Sequence, residues 1–253
     1  MTILKNHIPS VQILTSKVHL VNEVELQTFI ELIVNEGKQS RIGNINIHAA
    51  NLAFETKWFR DYMNSCGLVF CDGKGIQLAS WITRQPIPPH ITYHTWIWSL
   101  AKFCQDKQFS LFFLGSGQGV AELAINRIKE KFPNIELNGH HGYFEKSGLE
   151  NQQVIDLINK WNPNILIVGF GMPLQEKWIL DNKDQLHVNI ILNGGAFLEW
   201  ISQIKEQSPP ILTKIGLEWL FRFFQEPKRL FKRYIIGNPL FMLRLMFNSK
   251  GRE

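Results

Sequence analysis

The strongest constraint on this chain is an alternation: short apolar runs, most of them followed closely by glycine, separated by stretches with helical spacing. Residues 11–14 (VQIL), Ile42–Ile47, Leu68–Cys71, Ser110–Leu114, Ile135–Leu137, Ile165–Val168 and Ile190–Leu192 read as strands. Amphipathic stretches near 50–63, 74–83, 97–106, 118–131, 149–160 and 174–182 lie between them. Near the start, Asn22 and Glu25 have the spacing of a capping box. Leu26, Phe29, Ile30 and Ile33 then recur at helical intervals until Gly37 closes the helix. Strands separated by helices of this length predict an α/β fold, a mostly parallel sheet with helices on both faces.

Ligands of such folds bind beyond the carboxyl ends of the strands, so the residues just after each strand carry the functional information. Asp72-Gly73-Lys74-Gly75 follows Leu68–Cys71. Asp72 is placed either to take a proton from an attacking hydroxyl or to cap the next helix. Gly115-Ser116-Gly117-Gln118-Gly119 follows Ser110–Leu114 and opens a helix, as a phosphate-cradling turn does. Glu136 lies roughly where a ribose-binding acid belongs, which keeps a nicotinamide-dependent oxidoreductase open as an alternative. Gly169-Phe170-Gly171-Met172-Pro173 follows the next strand and leads to Gln175 and Glu176 in the first helical turn. Both face the same crevice in this reading. Gln175 suits a uracil edge or sugar hydroxyls, whereas Glu176 also fits the helix dipole alone. Asn193-Gly194-Gly195 and the loop Gly139–Phe144 complete the set.

Other chemistries find little support. No HExxH, DxD, CxxC or GxSxG pattern occurs, so no metal, no cofactor and no hydrolase elbow is expected. Cys66, Cys71 and Cys104 are too few and too irregularly spaced for a disulfide framework, and read as reduced cytosolic thiols. The first residues have no apolar segment of secretory type, and no run approaches the length of a membrane span.

The last forty residues differ from the rest. Residues 214–253 hold nine Lys/Arg against three Glu, while the whole chain is only +5, so the remainder is close to neutral. Within GLEWLFRFFQEPKRLFKRY, residues 216–234, Leu217, Leu220, Phe221 and Phe224 form an i, i+3, i+4, i+7 stripe. Pro227 fits the first turn of a second helix, and Gly237 and Pro239 read as stop signals. Rings among clustered cations predict attachment to an anionic surface, a membrane in preference to nucleic acid. The composition shift near Ser208–Pro209–Pro210 divides the chain into residues 1–207 and an appendage, 208–253.

Taken together, the segments resemble the WecG/TagA/CpsF family of bacterial glycosyltransferases, glycosyltransferase family 26. The resemblance rests on DGKG at 72–75, LGSGQGVAELA at 114–124, GYF at 142–144, NPNILIVGFGMPLQEKW at 162–178 and the tail segment at 216–234. It implies a Rossmann-like domain with a C-terminal appendage, and sugar transfer from a UDP-sugar to a polyprenyl-diphosphate-linked saccharide, inverting and metal-independent. Cell-envelope polysaccharide synthesis at the inner face of the plasma membrane follows, and a homo-oligomer is compatible with it. By position Asp72 takes the general-base role, with Asn44 and Gln175 as the other catalytic residues. Asn46, Gly73, His90, Gly115, Gly117, Gln118, Tyr143, Gly171 and Glu176 are implied to bind substrate, with Arg222, Arg229 and Lys232 as a basic lid over diphosphate. Departures occur at Asn44 (threonine in the family), His90 (arginine), Thr95 (aspartate), Leu198 (aspartate), Gln207 (arginine) and Lys232 (arginine). A changed donor or acceptor, or a retired sugar-nucleotide-binding homologue, is what these departures imply.

Overall fold

In a computed structural model, residues 8–206, 208–209, 212 and 217–249 are described. Strands β1 (Ser10–Ile13) and β2 (Ser16–His19) form an antiparallel pair. A six-stranded parallel sheet has the order β4 (Leu68–Cys71), β3 (Ser40–Ile45), β8 (Ile190–Asn193), β7 (Ile165–Gly169), β5 (Leu111–Gly115), β6 (Leu137–His140). The α/β expectation holds. Strands β4, β5, β7 and β8 are buried along almost their whole length, the pattern of parallel strands covered on both faces. Register places Leu111 beside Ile165 and carries Gly115 to Gly169, so the two glycine turns leave the sheet side by side.

Helices α1 (Glu23–Asn35), α2 (Ile47–Glu55), α3 (Lys57–Ser65), α4 (Lys74–Ile82), α5 (Tyr93–Lys107), α6 (Val120–Lys131), α7 (Gly148–Trp161), α8 (Leu174–Asn182) and α9 (Phe197–Ile201) connect these strands. The tail adds α10 (Glu218–Gln225), α11 (Pro227–Phe231), a π-helical turn (Lys232–Ile236) and α12 (Gly237–Ser249). In α1 the buried residues are Leu26, Phe29, Ile30 and Ile33, the stripe read from spacing. The chain divides into two compact units. The first comprises the residues up to Asn22, Asn44–Ile91 and the C-terminal segment. The second comprises Glu23–Gly43 and Thr92–Glu206.

Several expectations need correction. The amphipathic stretch at 50–63 is two helices, because Thr56 is extended (φ −123°, ψ 112°) and ends α2 where α3 begins. Strand β2 has no counterpart among the expected elements, since SKVH has no apolar run and its turn, with Leu14 at φ 53°, has no glycine. β6 begins at Leu137 rather than Ile135, and as an edge strand it tolerates the polar sequence LNGH. Glu136 therefore stands exposed before the strand, at its amino end, where it cannot meet a ribose beyond the carboxyl ends. Gly237 and Pro239 do not stop a helix: helical backbone runs without a break from the π-helical turn into α12, and Pro239, which has no amide hydrogen to donate, follows that turn by three residues.

Candidate active site

In the first unit, the carboxyl ends of β3 and β4 carry Asn44, Asn46 and Asp72. The Asp72 amide donates to the Ile45 carbonyl at 2.8 Å, which fixes the backbone beside β3. Among the described residues its carboxylate accepts on one oxygen only, Oδ2, from Asn44 Nδ2 at 2.9 Å and Asn46 Nδ2 at 3.4 Å. Asn46 also caps α2, its Oδ1 accepting from the Ala49 amide at 3.1 Å, so one side chain anchors a helix and orients the acid. Asp72 is not a cap: the N-cap of α4 is Gly73, with no side-chain bond. Gly73 sits at φ 115°, a conformation that side chains resist, and this turn leaves the carboxylate half-buried beside the helix start. His90 pairs with Cys71 in an isolated parallel bridge at the end of β4 and is itself half-buried.

The tail of the same unit brings cations to this acid. Arg233, in the π-helical turn, lies where it feels the charges of Asp72, Arg222 and Arg229. Burial is the main cause that lowers its pKa, the neighbouring arginines add to that, and Tyr234 and Asp72 oppose it. His48, in the first turn of α2, is pushed down to about 4 by burial and then by the Arg233 charge, so it is neutral at physiological pH. Arg222 is half-buried, while Arg229, ion-paired with Glu226, and Lys232 are exposed. The turn is held from behind: Asn51 Nδ2 donates to the Gly237 carbonyl at 2.8 Å. Arg244 donates to Asn51 Oδ1 at 2.8 Å and Glu55 Oε1 at 2.7 Å, over the Phe54 ring.

The second unit gathers the glycine turns. A side chain at Gly115 would meet the Gly169 carbonyl oxygen at 2.5 Å, so this glycine is required by strand packing. Gly117 is open by comparison and Gln118 is exposed. The Gly142 amide donates to the Ser116 carbonyl at 2.8 Å and brings the 142–144 loop against the first turn. There Lys146 donates to the carbonyls of Gly142 and Phe144 and lies over the Phe144 and Phe170 rings, leaving Tyr143 78% exposed.

Gln175 and Glu176 do not open onto solvent; both are 0% exposed. Gln175 Oε1 accepts from the Gly171 amide at 3.2 Å and the Gly195 amide at 3.0 Å, tying two glycine turns together. Its Nε2 donates to Glu176 Oε1 at 2.8 Å, which also accepts from Asn193 Nδ2 at 2.7 Å. Burial raises the Glu176 pKa against the pull of these two donors. Of the departures from the family pattern, Leu198 is buried, Thr95 is exposed, and Gln207 lies outside the described residues.

Sequence reasoning missed His48, Arg233, Asn51 and Lys146. Arg233 is visible only as one of four cations in PKRLFKR, and nothing in that run says which turns inward. His48 follows Asn46 by two residues, and its nearness to the tail is purely tertiary.

An acid oriented at a parallel-strand end, glycine turns at other strand ends and a cationic tail define a group-transfer enzyme of α/β type. The chain belongs to the glycosyl transferase WecG/TagA/CpsF family, whose model matches residues 11–253, and it is a glycosyltransferase. It is 28% identical over 200 residues to a Staphylococcus aureus (strain MW2) protein, covering 79% of this chain and 77% of that one. That relative is an N-acetylglucosaminyldiphosphoundecaprenol N-acetyl-beta-D-mannosaminyltransferase. A protein of the same name from S. aureus strain NCTC 8325 / PS 47 shows the same identity and coverage. Among the described residues, no helix is long and apolar enough to cross a membrane.

Proposed function

We propose that this enzyme transfers a sugar from a UDP-sugar to a saccharide carried on a polyprenyl diphosphate, with inversion and without a metal ion, in cell-surface polysaccharide synthesis. The observation that carries the reading is the Asp72 carboxylate, fixed through Oδ2 by two amides while Oδ1 makes no hydrogen bond among the described residues. An acceptor hydroxyl gives its proton to Asp72 as its oxygen bonds to the anomeric carbon. The bond from that carbon to the diphosphate oxygen breaks, and UDP leaves with the electron pair. Asn44 and Asn46 orient the base, and His90 stands beside β4 where the acceptor or donor sugar would be read. Arg222 and Arg229 supply positive charge for the diphosphate, the compensation that such a leaving group needs.

In the second unit, Gly115 and Gly117 with Gln118 form the nucleotide-side turn, and Tyr143 offers an exposed ring for the base. Gln175 and Glu176 hold the Gly171 and Gly195 turns from within, so the contribution of Gln175, Glu176 and Gly171 is positioning. The segment 208–253 attaches the enzyme to the inner face of the plasma membrane. Exposed Phe224, Phe231, Ile236 and Phe247 accompany the exposed cations Lys228, Arg229 and Lys232 there.

Asp72→Asn tests the central assignment. Asn keeps the shape and an acceptor for the two amides but cannot take the proton, so transfer should fall by about 10²–10⁴-fold with UDP binding retained. Turnover by that variant within about threefold of the parent enzyme removes Asp72 from the base role. Chelator treatment of the parent enzyme should leave its rate unchanged.

A further inference from the structure

Lys232 stands at the third cationic position of the tail, but the π-helical turn Lys232–Ile236 turns it outward and the next residue inward. Tyr234 is buried, with Trp219 edge-on at 5.7 Å, and the Arg233 guanidinium lies 5.4 Å from the Tyr234 ring. The Arg233 Nε is buried without a hydrogen-bond partner. The Asp72 charge acts on Arg233, yet among the described residues the two form no ion pair. Two further arginines, Arg222 and Arg229, press on the same guanidinium. A buried N–H left unmet on a cation crowded by like charges is an unfavourable arrangement unless an anion with several acceptor oxygens completes it.

We propose that Arg233, and not Lys232, is the third diphosphate-binding cation of this site, its guanidinium donating to diphosphate oxygens beside Asp72. The inference rests on the transferase reading above. In that reading a diphosphate is present in both the sugar nucleotide and the lipid-linked acceptor, and the guanidinium fits either source.

The test uses calorimetric titration of the full chain with UDP and, separately, farnesyl diphosphate. Arg233→Gln should weaken one or both by about 10- to 100-fold, the span expected for hydrogen bonds to a charged group. Arg233→Lys should recover part of the loss, and Lys232→Gln should change neither probe by more than about threefold. Loss confined to UDP assigns the nucleotide diphosphate; loss confined to farnesyl diphosphate assigns the lipid diphosphate. Unchanged binding of both by Arg233→Gln overturns the inference while leaving the transferase reading intact. Failure of the parent protein to bind either probe defeats that reading and the inference with it. A second measurement does not depend on a variant folding. Inorganic pyrophosphate placed on Arg233 should raise the His48 titration midpoint, followed by its imidazole proton resonance in the parent protein. A midpoint that stays in place at saturating pyrophosphate also overturns the inference.

Discussion

Acid should destabilise this enzyme through His48, and the size of the effect follows from its surroundings. The folded-state pKa is lowered from 6.5 to about 4, first by burial in α2 and second by the Arg233 charge. A histidine with a depressed folded pKa binds protons more readily when unfolded, so its stabilising contribution is complete above about pH 6.5 and shrinks as pH falls toward about 4. The full difference is roughly 3 kcal/mol, and about 2 kcal/mol of it is lost by about pH 5. For a domain of this size that corresponds to a fall of about 4–8 °C in Tm. Carboxylates add their own acid sensitivity, so the informative quantity is the difference between the parent protein and His48→Gln. Urea midpoints read at about pH 7.5, 6 and 5 should converge for the pair as pH falls, because the substituted glutamine has no proton to gain. Parallel curves would show that His48 titrates in the folded protein much as it does in the unfolded chain, and the burial argument would fail.

Gln175→Met keeps the volume but strands the Gly171 and Gly195 amides, each costing about 1–3 kcal/mol when buried. A loss of about 2–6 kcal/mol in urea unfolding is expected, and one below about 1 kcal/mol would refute the clamp. Arg244→Met removes the donors to Asn51 and Glu55; with Glu55 half-exposed, about 1–2 kcal/mol should be lost, together with activity, as the Arg233 turn loosens. Urea unfolding and the transfer rate, measured on the same preparation, check both parts. Replacing Phe224, Phe231 and Phe247 together by Ser should reduce sedimentation with phosphatidylglycerol vesicles and leave Tm within a few degrees, because all three rings are exposed. Unchanged vesicle binding would return them to the role of incidental surface.

What the sequence made legible follows from how fully each element is buried. Leu68–Cys71 and Ile165–Gly169 are apolar because neighbours cover both of their faces, and such strands stand out in any reading. β2 and β6 are short, partly polar and held by their partners, so their own residues say little. Asp72 was legible because it follows its strand directly, whereas Asn44 and Asn46, inside the expected strand Ile42–Ile47, were pointed to by the family resemblance alone; the three meet through one carboxylate oxygen. Gln175 was legible as an important position, but its orientation was not. First-turn residues of a helix can face outward or back toward the strands, and the Gly171 and Gly195 amides decide the matter here.

The tail shows why a periodic stripe is an incomplete guide. The 217, 220, 221, 224 spacing marks a helix, yet Phe224 is 73% exposed, and the buried apolar residues among the described part of the tail are Leu230, Tyr234, Phe241 and Leu245. Tyr234 lies within the π-helical turn and Phe241 and Leu245 follow it, and one wider loop of backbone there shifts every later residue around the axis. Arg233, within that turn, is half-buried, whereas Lys232 and Phe231 are exposed. The buried residues of the tail help to form the core of the first unit. Removing it would expose the partners of Leu230, Tyr234, Phe241 and Leu245, so a truncated protein that lost activity would say nothing about membranes. Substitutions confined to the exposed rings and cations separate attachment from folding, because they touch the outward face and leave the buried one in place.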